Sequence, residues 1–205
     1  MKNSFYPIVA ALFILIAPGC EENEGNIEKR IVGTGPIVTK NLDFSSFNKI
    51  ENTGVADFYI TIGSTQSVAL KAQQNIIDVM TYEVIDQTLK VGLEENVTIE
   101  NHDEIRFDIT IPSITKIDLT GVGDFELSGD DQGELTITLT GVGNVKAYEM
   151  KVDTCNITFT GVGNCEVYVS NELNVTIAGV GKVYYKGNPA INLTITGLGQ
   201  LINAN

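Results

Sequence analysis

One short motif occurs five times between residues 119 and 200: Thr120-Gly121-Val122-Gly123-Asp124, Thr140-Gly141-Val142-Gly143-Asn144, Thr160-Gly161-Val162-Gly163-Asn164, Ala178-Gly179-Val180-Gly181-Lys182 and Thr196-Gly197-Leu198-Gly199-Gln200. The copies are spaced by 20, 20, 18 and 18 residues. A repeat of this kind cannot bury its apolar face alone, so successive units must stack on one another. The period is too short for a helix, a strand and their loops. It suits one coil of a parallel β-solenoid, with coils about 4.8 Å apart. Leucine-rich repeats share the length but want a Leu/Asn consensus that is absent here. Leu135-Thr136-Ile137-Thr138-Leu139-Thr140 alternates apolar and hydroxyl residues, as do residues 173–177 and 191–196, so these are strands with one apolar and one polar face. Stacking the units gives three apolar columns: Leu119, Leu139, Phe159, Ile177, Ile195; Ile137, Ile157, Val175, Leu193; and Phe125, Val145, Cys165, Val183, Leu201.

The Gly-x-Gly in each unit reads as a repeated bend where neighbouring backbone comes close. It is no phosphate loop, because neither a further spaced Gly opening a helix nor Gly-Lys-Ser/Thr follows any copy.

At the amino end, Lys2, an apolar run from Ile8 to Ile16 and Ala17-Pro18-Gly19-Cys20 describe a secretory signal over residues 1–19. The run is too short to span a bilayer. Gly19-Cys20 resembles a relaxed bacterial lipobox, which makes Cys20 the expected lipidation site and the lipid the only membrane attachment. Residues 20–35, opening Glu21-Glu22-Asn23-Glu24, read as an acidic flexible tether. The remainder, 36–205, is long enough for one domain with its own core. The formal net charge of −13 speaks against nucleic acid as a partner.

From Ile37 to Thr115 the pattern is β but less regular. Residues 52–63 repeat the Thr120 to Gly129 segment, with Ala56 for the second Gly, and read as the first copy. Residues 67–72 read as a strand, 74–81 as one or two helical turns, and 82–93 as a hairpin around Asp86-Gln87-Thr88. Ile105 to Ile111 is a further strand ending at Pro112, and this half is expected to cap the solenoid with longer coils.

Phe47-Asn48-Lys49-Ile50 ahead of Gly54-Val55-Ala56-Asp57-Phe58-Tyr59-Ile60, then Leu89-Lys90-Val91, Ile109-Thr110-Ile111-Pro112 and the Gly-x-Gly-Asp/Asn series resemble the head GIN domain family of putative auto-transporter adhesins. The resemblance covers about residues 37–203. It implies a right-handed parallel β-helix, similar to that of pectate lyases, on surface or periplasmic lipoproteins, and it implies no established activity. The family often has Ser between the two glycines, where this chain has Val or Leu.

Little in the sequence points to catalysis. His102, the lone histidine, lies in the polar loop Glu100-Asn101-His102-Asp103-Glu104. Polysaccharide lyases of this fold use clustered Asp with calcium and a basic Arg or Lys. Here the column after the bend reads Asp124, Asn144, Asn164, Lys182, Gln200, a poor cation site, and Arg106 lies outside the repeats. Asp124, Glu126, Asp130 and Asp131 read as a solvated turn. Cys155 and Cys165 fall in different apolar columns and read as buried free thiols. The Asn-x-Thr triplets at Asn96, Asn156, Asn174 and Asn192 largely follow the coil period. No catalytic residue, metal or cofactor is expected.

Two outward surfaces remain. Thr136, Thr138, Thr140, Thr158, Thr160, Thr176, Thr194 and Thr196 form a polar grid, a candidate for glycan or partner binding. Val122, Val142, Val162, Val180 and Leu198 form a column that alternation from Leu119 turns outward and a bend at the glycines would turn inward; outward is favoured, as an apolar contact stripe. The chain stops early in a further coil, and its uncovered end points to a homo-oligomer or to a last coil folded over. The expectation is an exported, lipid-anchored, non-catalytic adhesin-like module at the bacterial outer membrane or cell surface, the periplasmic side included, binding a glycan or surface protein. The alternative is a degenerate carbohydrate-active, polysaccharide lyase-like β-helix.

Overall fold

The structure, a computed structural model, describes residues 28–205. The signal peptide, Cys20 and the acidic patch behind it lie outside the described residues. The described chain is all-β, with one helical turn at Gln74–Ile77.

In the carboxyl-terminal half, parallel strands stack in the register of the repeat. Lys116–Leu119 pairs with Gln132–Leu139, then follow Val145–Phe159, Val162–Ile177 and Ala190–Ile195. Leu119, Leu139, Phe159, Ile177 and Ile195 face one another rung by rung, as do Ile137, Ile157, Val175 and Leu193. Beyond the glycines the third column runs Phe125, Val145, Cys165, Val183, Leu201. These columns are the core, buried as far out as Ile177, Val175 and Val183. The unit shortens where residues 148–150 bulge, since Ala147 faces Val167 whereas Lys151 faces Tyr168.

The amino-terminal half makes the sheet mixed and departs from a purely parallel coil. Asp57–Ile62 pairs parallel with Phe125–Gly129 on one side and with Arg106–Ile111 on the other. Lys49–Asn52 likewise lies between Lys116–Leu119 and Thr88–Leu93. The first copy is thus sandwiched between a rung made later in the chain and the rung of residues 116–129. Stacked rings mark the same order: Phe58 lies 5.2 Å from Phe107 and 4.5 Å from Phe125, nearly parallel to both. Reversed strands then close this end. Ser67–Gln73 runs antiparallel to Arg106–Ile111, Ile37–Leu42 antiparallel to Ser67–Gln73, and Met80–Ile85 antiparallel to Thr88–Leu93. The hairpin turn sets Asp86 and Gln87 at φ 49° and 59°, the left-handed pair that matches strand twist. Lys29–Val32, within the segment read as a tether, pairs with Val97–Asn101, and Ile31 packs against the core. Ordered structure therefore starts before residue 36.

Each Gly-x-Gly bend is a point of backbone contact between rungs. Gly143, Gly163 and Gly181 sit at φ +155°, +147° and +157°. A Cβ there would come within 1.7 to 1.9 Å of the carbonyl oxygen of the matching glycine one rung below.

Candidate binding faces

The hydroxyl grid exists as a surface. Thr138, Thr158, Thr176 and Thr194 are register partners, and Thr136 continues into Asn156, Asn174 and Asn192. Thr136 and Thr138 are half-buried; Thr140, Thr158, Thr160, Thr176, Thr194 and Thr196 are exposed. The asparagines form a ladder. Asn192 Nδ2 donates to Asn174 Oδ1 at 2.7 Å, Asn174 Nδ2 to Asn156 Oδ1 at 2.9 Å, and Asn156 Nδ2 to Glu134 Oε1 at 2.9 Å. Amide groups spaced by one rung bond in series, so the face is held flat and its side chains are pre-set. A shallow depression of about 500 Å³ lies over it, bordered by Thr158, Thr176, Asn192 and Thr194.

The valine column points outward. Val142, Val162 and Val180 are each 51% exposed, Val122 is 47% and Leu198 is 83%. Val55 of the first copy joins it, bridged to Val122. Main-chain bonds fix the stripe: Val122 N–H donates to Gly54 O at 2.8 Å, and Val142, Val162, Val180 and Leu198 repeat the bond at 3.0 Å. Six residues at one rung spacing give a stripe about 24 Å long.

Beside the stripe runs a second ladder, in the column weighed as a cation site. Asn144 donates from N and Nδ2 to Asp124 Oδ1 at 2.8 and 2.9 Å. Asn164 does the same to Asn144 Oδ1 at 3.0 and 3.3 Å, and Asp124 N–H reaches Asp57 Oδ1 at 2.8 Å. The carboxylates and amides here brace the bend. Asp131 pairs with Lys151 at 3.3 Å. Among the described residues no three His, Cys, Asp or Glu side chains converge in a way that would hold a metal ion.

The sequence reading missed a cleft of about 620 Å³ at the closed end, bordered by Asn41, Phe44, Tyr59, Gln66, Arg106 and Asp108. The Arg106 guanidinium lies 4.0 Å over the Tyr59 ring. It bonds Asp108 at 2.6 Å and Glu104 at 3.3 Å, while Lys71 reaches Asp108 at 2.7 Å. The bond to Asp108 raises the Arg106 pKa against its partial burial. Burial pushes the Asp108 carboxyl up, and the bonds from Lys71 and Arg106 outweigh it, leaving that carboxyl below its usual range. Tyr59, Arg106 and Asp108 stand at alternate positions of two strands, but only the pairing of Asp57 with Arg106 brings them together.

The remaining candidates stay apart. His102 is exposed, its Nδ1 against the Asp103 carbonyl. Cys155 and Cys165 are free and buried; burial pushes the Cys155 thiol up to about 12 and that of Cys165 well up too. No helix among the described residues is long and apolar enough to cross a membrane.

No curated protein matches the sequence. Among solved structures, a putative adhesin from Bacteroides fragilis superposes with a TM-score of 0.58 at 21% identity, covering 84% of this chain and 99% of that one. A putative lipid binding protein from Parabacteroides distasonis superposes with a TM-score of 0.50 at 19% identity, covering 86% of this chain and 100% of that one. Both share the all-β fold. The family model described as putative auto-transporter adhesin, head GIN domain, matches residues 46–134 and 119–189, most of the chain, and the chain therefore belongs to that family.

Proposed function

We propose that this protein is a non-catalytic binding module of the cell envelope. In this proposal it is exported, held to the outer membrane or cell surface through a lipid on Cys20, and adhesin-like in action. Its rungs make a right-handed parallel β-helix with an antiparallel cap, and its lateral faces meet a glycan or a surface protein.

The carrying observation is the row from Val122 to Leu198, five half-exposed or more exposed apolar side chains in strict register. Scattered apolar residues on a surface need no explanation, whereas an aligned stripe fixed by main-chain bonds is a preformed contact. The Thr/Asn face supplies hydroxyls and amides alongside it. Family membership supports the envelope location and the adhesin-like character. The lyase alternative needs a base that can lose its proton. Arg106 borders the cleft at the closed end, and its carboxylate partners drive its pKa the wrong way for that role.

A glycan array tests the proposal with three proteins: residues 28–205, a Val142→Lys/Val162→Lys variant, and a Thr158→Lys/Thr176→Lys variant. All four substituted side chains are exposed, so each variant is expected to keep its fold. Binding lost with the threonines assigns a carbohydrate to the grid; binding lost with the valines assigns it to the stripe. Glycan binding untouched in both variants overturns the assignment to the lateral faces. A Cys20→Ala chain that still partitions into detergent overturns the anchor.

A further inference from the structure

We propose that the cleft at the closed end of the stack binds a neutral sugar, free or as the end residue of a glycan. The inference does not depend on the Thr/Asn face or on the valine stripe.

Strand register builds the cleft. Asn41, Ala69, Asp108 and Tyr59 are partners in one line across four strands. Partners in a sheet lie on one side of it, here the outer side, since the neighbouring Leu70, Phe107 and Phe58 are buried. Ala69 is the one short side chain in that line, so the surface sinks there. Ser67, Thr110 and Thr61 form the next line. Val68 and Ile109 border the cleft through their main chain, because their side chains are in the core. The volume of about 620 Å³ falls within the range of small-ligand sites, roughly 300–1,000 Å³.

Two walls are fixed without a ligand. One is the Arg106 guanidinium, 4.0 Å over the Tyr59 ring and tied to Asp108 at 2.6 Å. The other is Phe44, whose ring meets Phe47 and Tyr82 edge-on at 6.4 and 6.3 Å. Gln66 Nε2 donates to the Phe44 carbonyl at 3.0 Å and holds that wall in place. By contrast, the side chains of Asn41, Ser67 and Thr110 make no hydrogen bond to another side chain or to backbone among the described residues. Free polar groups on a rigid frame are ready to bond a ligand at little cost in ordering.

Chemistry selects the ligand class. Arg106 and Lys71 are matched by Asp108 and Glu104, so no cationic charge is left over for an anion. Asp43 at the rim and a net charge of −13 repel one as well. A cation meets Asp43 alone, because Asp108 Oδ1 is held by Arg106 and Oδ2 by Lys71. An alkyl chain would strip water from the free hydroxyls and the Asn41 amide and bond none of them. A neutral sugar fits each feature. Its hydroxyls both donate and accept, so they pair with Asn41, Ser67 and Thr110, and its C–H side lies on the Phe44 ring.

A glycan array with residues 28–205, which hold the described core, is expected to show neutral glycans bound in preference to sialylated or uronate-bearing ones. The free terminal monosaccharide added as competitor separates the two sources. Competition marks the single sugar as sufficient, and its lack marks the glycan end as the ligand. Ala69→Gln fills the floor from the outer side of the sheet and is expected to weaken binding of these glycans at least about tenfold. Asn41→Ala is expected to weaken it about tenfold. Both should leave the circular dichroism spectrum unchanged. Loss in both variants places the sugar in the cleft, whatever the Thr158→Lys/Thr176→Lys variant does. No neutral glycan bound, a preference for acidic glycans, or binding lost with the threonines and kept in the cleft variants would each overturn the proposal. Asn41→Ala, a truncation of an exposed side chain, decides the matter if Ala69→Gln fails to fold.

Discussion

At the residue scale, the bend rests on a few side chains and on the lack of others. Gly163→Ala would drive a methyl into the Gly143 carbonyl, 1.8 Å from where its Cβ must sit, at a φ that L-residues avoid. The expected loss is about 3 kcal/mol or more, read from denaturant midpoints, because rigid backbone on both sides cannot give way. Asn52 is the polar counterpart of Leu119 in the first copy, fully buried. It donates to the Val122 carbonyl at 3.2 Å and accepts from Gly54 N–H at 3.0 Å. That role was invisible in the sequence, since the column it joins is otherwise apolar. Asp108 contributes a pH dependence at acid pH. Its folded pKa is depressed, so its contribution is present above the ordinary carboxylate range and is lost as pH falls through the lowered value. Asp108→Asn is expected to cost about 1 kcal/mol at neutral pH, since the pairs it serves are partly solvated. The gap between wild type and variant should close as the solution is acidified.

At the element scale, the hairpin and the rungs obey different rules. Asp86 and Gln87 both adopt left-handed angles in a two-residue turn. Asp86→Asn with Gln87→Gly is expected to raise stability by about 1 kcal/mol, seen as a higher Tm, because Asn-Gly takes those angles with less strain. The hairpin was legible from two strand patterns flanking a short polar break. The rungs were legible from the repeat, and the stacked columns appear as the alternation predicts. The 148–150 bulge was not, because a shift from 20 to 18 residues does not say where the two residues leave. Its result is local: Tyr148 comes to lie with Lys186 Nζ 4.3 Å over its ring, and burial followed by the Glu166 charge raises its pKa. The Asn ladders hid behind a period that was read only as following the coil.

At the scale of the whole molecule, stability is distributed along a stack, so ends and middle should open at different free energies. Amide hydrogen exchange is expected to be fastest in Ala190–Ile195 and Leu198–Asn203, each of which pairs on one side alone among the described residues. It should be slowest in Asp57–Ile62, which has parallel neighbours on both sides. Uniform protection across the rungs would mean that the stack opens as one unit. The sequence by itself determined the all-β class, the rung length, the three core columns and the outward Thr positions, and it left the direction of the Val column to the structure. These follow from a period of two within a strand and a fixed period between strands, both local properties of the chain. Only the tertiary structure decided that residues 49–62 sit between residues 88–111 and 116–129, that reversed strands close one end, and that Arg106 meets Tyr59 and Asp108. Those arrangements depend on which distant strand wins each edge, and hydrogen bonding between backbones leaves no mark in the order of side chains.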